Sequence, residues 1–103
     1  MDGAQIRDKV DEALRTVFDP EIPVNIVELG LVYQTDVMED GRVLVIMTLT
    51  APGCPVAGSI IEEVTQKIEA IEGVSTADVR LTFDPPWNKE MMSEEARLEL
   101  GFM

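Results

Sequence analysis

The chain has 103 residues, 46% of them hydrophobic, enough for one small domain with a single core. Twenty acidic residues against eight basic ones give a formal charge of -12, which repels phosphate backbones and anionic lipid, so neither nucleic acid nor a membrane is expected as a partner. Histidine is absent and Cys54 is the one cysteine, which excludes a Ser-His or Cys-His catalytic pair, the commonest metal ligand and an internal disulfide.

No apolar run approaches the ~20 residues of a membrane span, and the opening MDGAQIRDKV has no apolar signal-peptide stretch. The expectation is one domain over residues 1–103 in the cytoplasm, whose reducing conditions suit a free thiol. The acids are spread through the sequence, as on a solvated surface or a face for a basic partner.

In chain order, Ile6, Val10, Ala13, Leu14 and Val17 share one helical face, predicting a helix over residues 5–17. It stops at Phe18-Asp19-Pro20-Glu21-Ile22-Pro23, where each proline pushes its predecessor out of helical geometry. Up to Gly30 the chain reads as a loop with at most a short helical turn at 26–29. Strands follow at 31–38 and 42–50, joined by Glu39-Asp40-Gly41, in which Asp-Gly marks a hairpin. The second strand is apolar on both sides, Val43, Val45, Met47 and Leu49 against Leu44 and Ile46, as a central strand must be.

A helix then starts at Pro55, carries Ile60, Ile61, Val64, Ile68 and Ile71 on its apolar face, and ends at Gly73. The third strand, 74–84, alternates Ala77, Val79, Leu81 and Phe83 with Asp78, Arg80 and Thr82, and breaks at Asp84-Pro85-Pro86-Trp87. Last comes a short acidic helix capped by Ser93, with Glu94 and Glu95 in its first turn and Gly101 after its end. The fold class is α/β of the two-layer α+β kind, in the order α-β-β-α-β-α. Its three-stranded mixed sheet has an antiparallel hairpin and one parallel crossover, with helices mainly on one face.

Cys54 attracts attention through Pro55, whose fixed φ and missing N–H suit the first position of a helix and make Cys54 its N-cap. There the free N–H groups and helix dipole favour a thiolate, although free cysteine is also a common core filler, and the spacing admits both readings. The parallel crossover puts the carboxyl ends of strands two and three on one edge, with the start of strand one. Loops bearing Asp19, Cys54 and Asp84 therefore gather where α/β sheets favour ligands, and these side chains are expected to line one depression.

Each has an ordinary alternative. Asp19 and Asp84 are also turn formers before proline, Trp87 also suits a plug over the sheet's end, Met91 and Met92 also suit packing, and Glu21 and Glu28 also suit a charged surface. A helical layer covering only one face should leave apolar surface for a partner. With a charge of -12, the isolated chain is expected to be a monomer or weak homodimer.

The segments DPEIPVNIVELGLVY (19–33), MTLTAPGCPVAGSI (47–60) and DPPWNKEMMSEEARLELGF (84–102) resemble those of the SufT and PaaD-like family of iron-sulfur cluster assembly factors. The resemblance implies a small α/β domain with a three-stranded sheet, acting as a non-enzymatic adaptor or transient carrier. Its reactive cysteine falls on Cys54 and its Asp-Pro motifs on Asp19 and Asp84. These are the candidate ligands for a transient iron-sulfur cluster or iron, with no cofactor held stably. Glu21, Trp87, Met91 and Met92 are candidates for contacts with assembly proteins or client apo-proteins. The chain departs from PaaD proteins in lacking a cysteine-rich extension, and it has no P-loop, so neither phenylacetate metabolism nor ATP use carries over. A thiol enzyme would need a nucleophile-activating group that the sequence does not supply, and a plain interaction module would leave Cys54 structural.

Overall fold

The computed structural model describes residues 3–19, 24–50 and 57–101. Helix α1 (Gly3–Leu14) leads through an irregular stretch into strands β1 (Val32–Val37) and β2 (Arg42–Met47), then α2 (Ala57–Glu69), β3 (Thr76–Leu81) and α3 (Glu94–Leu100). A single 3-10 turn at Lys89–Met91, which the sequence reading did not anticipate, is capped by the Asn88 side chain. Among the described residues no helix is long and apolar enough to cross a membrane.

The sheet order is β1-β2-β3, with β1 antiparallel and β3 parallel to β2. The doubly apolar β2 is central, as its composition requires, and Val43, Val45 and Met47 are buried beneath the helices. Helix α1 supplies Ile6, Val10 and Leu14 to that core and α2 supplies Ile60, Val64 and Ile68. Burying each such side chain stabilises the fold by roughly 1.5–3 kcal/mol. On the opposite face Leu44 and Ile46 are only half-buried, and the register flanks them with Gln34, Asp36, Asp78 and Arg80. This is the uncovered side expected of a two-layer domain.

Several elements are shorter than the sequence pattern predicts. Helix α1 ends at Leu14 rather than Val17 because the next amides fall back to i−3 carbonyls, Thr16 N–H to Ala13 and Val17 N–H to Leu14. The Val17 carbonyl is then free to accept from Ile26 N–H at 2.9 Å. Strand β3 ends at Leu81 because Thr82 gives the last ladder bond, to Met47 O at 2.8 Å, and Pro85 and Pro86 have no N–H to continue. Helix α3 matches its predicted caps: the Ser93 side chain accepts from Ala96 N–H, and Gly101 is left-handed.

Residues 84–92 cross back over the 24–31 turn and fasten it. Trp87 Nε1–H donates to Leu29 O at 2.6 Å, Tyr33 Oη–H to Pro85 O at 2.8 Å, and Ser93 N–H to Glu28 O at 2.8 Å. Gly30 (φ 79°) lies so close to this segment that a Cβ there would come within 2.2 Å of the Met91 carbonyl oxygen. Gly58, on α2, has open space around it. Gly30→Ala is therefore expected to cost about 2–4 kcal/mol, through both backbone strain and displacement of the 84–92 segment. Gly58→Ala should be neutral or stabilising by up to about 1 kcal/mol. Urea unfolding of the two variants checks the contrast.

Candidate functional site at the carboxyl end of the sheet

The site is built on the end of the sheet where β2 and β3 finish and β1 begins. Thr48 N–H bonds Leu31 O at 2.8 Å, so the chain entering β1 is stitched to the chain leaving β2. Phe18 bridges Asn25 in antiparallel fashion, which brings Asp19 to the same end. Asp19 is only 6% exposed, and the Thr50 hydroxyl lies 3.5 Å from its carboxylate. Its carboxylate is turned inward, toward the residue that precedes the segment bearing Cys54.

Asp84 also leaves this end of the sheet, but it is exposed, and its backbone N–H bonds the Thr82 hydroxyl at 3.2 Å. The structure thus brings the Asp19 and Asp84 loops to one edge while giving the two side chains different surroundings. Cys54 and Glu21, like the prolines at 20, 23 and 55, lie outside the described residues. Among the described residues, no three Cys, Asp or Glu side chains converge in a way that could hold a metal ion.

Trp87 is half-buried against the core, and its indole N–H is used internally. Met92 is 5% exposed and belongs to the core, and packing rather than display is what it does here. Met91 is half-buried, with its sulfur 3.6 Å from the Tyr33 hydroxyl. Tyr33 itself occupies a register shift in β1 between Val32 and Gln34, where the ladder leaves a residue unpaired.

Two features went unread in the sequence. Asn25 caps the turn at 26–29, its side-chain oxygen accepting from Val27 and Glu28 N–H at 3.0 Å each. An asparagine before an apolar run was the available signal. Glu28, weighed as a surface charge, is the joint between three elements: it pairs with Arg15, which also holds Asp11, and receives a hydrogen bond from the Ser93 side chain.

Those contacts hold the Glu28 carboxyl below its ordinary range, the Ser93 hydrogen bond first and the Arg15 guanidinium second, against an opposing effect of burial. A lowered folded-state pKa adds stability that is fully present above the unfolded glutamate value of about 4.3 and disappears as pH falls through the folded value. Wild type should therefore exceed Glu28→Gln in stability at neutral pH, with the gap closing in that acid window. Denaturant titrations at a series of pH values measure it, and a gap constant with pH would contradict it.

The sequence matches a family model described as "Iron-sulfur cluster assembly protein" over residues 7–79, a span that includes Asp19 and Cys54 and stops before Asp84. It is 58% identical over 99 residues to the Fe-S protein maturation auxiliary factor of Porphyromonas gingivalis, covering 96% of this chain and 94% of that one. It is 42% identical over 85 residues to the Fe-S protein maturation auxiliary factor SufT of Staphylococcus aureus, covering 82% and 97% of the two chains. Its structure is similar to that of a domain of unknown function from Bacillus anthracis, with a TM-score of 0.87 at 37% identity over 97% of this chain and 95% of that one. With most of its length matched in sequence and in fold, the chain belongs to the iron-sulfur cluster assembly protein family.

Proposed function

We propose that this chain is an auxiliary factor in the maturation of iron-sulfur proteins, working as an adaptor that holds a cluster, or its iron, transiently through Cys54. The carrying observation is near full-length similarity to proteins named for that role, combined with a sheet end where Asp19 is buried beside Thr50, the residue that leads into the Cys54 segment. The cluster is cargo in this reading. A cluster asks for about four thiolate-rich ligands, and one chain offers a single sulfur, so the remaining ligands come from the donor, the client or a second copy.

Transfer then needs only ligand exchange. The Cys54 thiolate forms a bond to iron as a donor thiolate leaves, the proton lost by Cys54 goes to the departing sulfur, and no electrons change hands. Asp19 and Asp84 are the carboxylates placed to assist at that edge. The charge of -12 resists pairing of two identical chains, so the working complex is with an assembly protein or client, and the isolated chain is a monomer or weak dimer.

The test is anaerobic transfer from a cluster-loaded scaffold to an apo-client, followed by client activity and absorbance. Wild type should accelerate transfer, and Cys54→Ala should lose more than about tenfold of that acceleration, since even outer-shell partners of metal ligands are worth that much. Undiminished acceleration by Cys54→Ala would make the chain an interaction module with a structural cysteine.

A further inference from the structure

We propose that the groove between the exit of α1, the 24–28 turn and α3 docks a basic amphipathic helix of a partner protein. The inference rests on the maturation reading for what that partner is, an assembly or client protein, but not for the binding chemistry of the groove.

The groove encloses about 340 Å³. Its floor is apolar, with Val24 and Ala96 buried, and its shoulder is the Phe18 ring, left 54% exposed. An aromatic held half in water beside an apolar floor is a poor choice for solubility and a good one for an interface, where aromatic anchors carry much of the binding energy. Leu98, 61% exposed, lies one turn from Glu95 on α3 and widens the apolar surface on that flank.

Charge selects the occupant. Glu28, Glu95 and Glu99 line the groove against one cation, Arg15, and Arg15 is already shared between Asp11 and Glu28. Glu95 and Glu99 are four apart on a helix, where like charges stand on one ridge and repel. No salt bridge to a described residue relieves either of them. Two cations about one helical turn apart would do so, and Lys or Arg at i and i+4 on a partner helix has that spacing. An apolar side chain from the same helix would meet Phe18. A second copy of this chain fits badly, since the basic residues of its α1, Arg7 and Lys9, are interleaved with Asp8, Asp11 and Glu12 and bring acid to acid. Because Phe18 directly precedes Asp19, a helix seated here would lie next to the sheet end where transfer is proposed.

The probe is a synthetic amphipathic peptide of about 18 residues, long enough for helix formation, with a Leu stripe and Lys/Arg pairs at i,i+4. The control has the same charges with Leu replaced by Ser. Titrated into the isotope-labelled full chain, the Leu peptide should shift amides concentrated at Phe18, Asn25, Glu28 and Ala96. Phe18→Ser and Glu95→Lys/Glu99→Lys should each weaken binding by about tenfold. Glu95→Gln/Glu99→Gln serves as the milder variant should charge reversal unfold α3. Equal binding of the Ser peptide would mean diffuse charge attraction and overturn the proposal. So would shifts mapping to Leu44 and Ile46 on the open sheet face, or dilution-dependent shifts without peptide. In the transfer assay, groove variants that lose the peptide yet mature clients as wild type does would refute the groove's role and leave that of Cys54 intact. If wild type itself fails to accelerate transfer, the maturation reading falls, and the titration alone still decides the groove.

Discussion

The pairing of β2 on both edges is the constraint from which the rest of the molecule hangs. Five consecutive residues, Val43 to Met47, present apolar side chains to both faces, and water is avoided only if strands flank them and helices cover one side. With an antiparallel partner on one edge and a parallel one on the other, the exits of β2 and β3 and the entry to β1 are forced to the same end. Two hydrogen bonds, Thr48 N–H to Leu31 O and Thr82 N–H to Met47 O, extend the ladders beyond the strands, so this end is held in register up to the residues that begin the loops. The ligand exchange proposed for this chain would gain from such a platform, because a misplaced ligand loses most of the advantage of being held.

A second layer of order comes from residues 84–101 folding back over the 24–31 turn. Three contacts there are directed at backbone carbonyls: the Trp87 indole on Leu29, the Tyr33 hydroxyl on Pro85, and the Ser93 amide on Glu28. Contacts of this kind satisfy polar groups that would otherwise be stranded at the end of a sheet, and they leave the side chains of the turn free for other work. Glu28 uses that freedom to join α1 through Arg15 to the cap of α3 through Ser93. The groove beside Phe18 exists because these three pieces are tied at one point and diverge from it.

The acidic balance of the chain takes on local meaning in this frame. Lys67 and the arginines at 7, 15, 42 and 80 are engaged with neighbouring carboxylates or carbonyls, while among the described residues no salt bridge relieves Glu95 or Glu99. Excess negative charge thus remains where the surface is also concave and partly apolar. On the open face of the sheet, by contrast, Asp78 is matched by Arg80, and Asp36 is bound by Gln34. For the basic partner proposed above, net charge would steer the approach and the uneven local neutralisation would set where it is held.

By itself the sequence determined the element types and their order, the hairpin at Asp40-Gly41, the central place of β2, the parallel crossover and the caps of α3. These follow from short-range rules: side-chain period, turn stereochemistry, capping chemistry and the handedness of crossovers. The resemblance carried by residues 19–33, 47–60 and 84–102 pointed to the family on the same local grounds. Only the tertiary structure decided that Asp19 is buried while Asp84 is exposed, that Met92 is core while Phe18 is surface, and that Glu28 is a joint rather than a solvated charge. Aspartate before proline looks the same in the sequence at both positions, and adjacent methionines look interchangeable. What separates them is which distant segment packs over each, Thr50 over Asp19 and the 24–31 turn against residues 84–92. Contacts between residues thirty to sixty positions apart leave no period in the sequence to read.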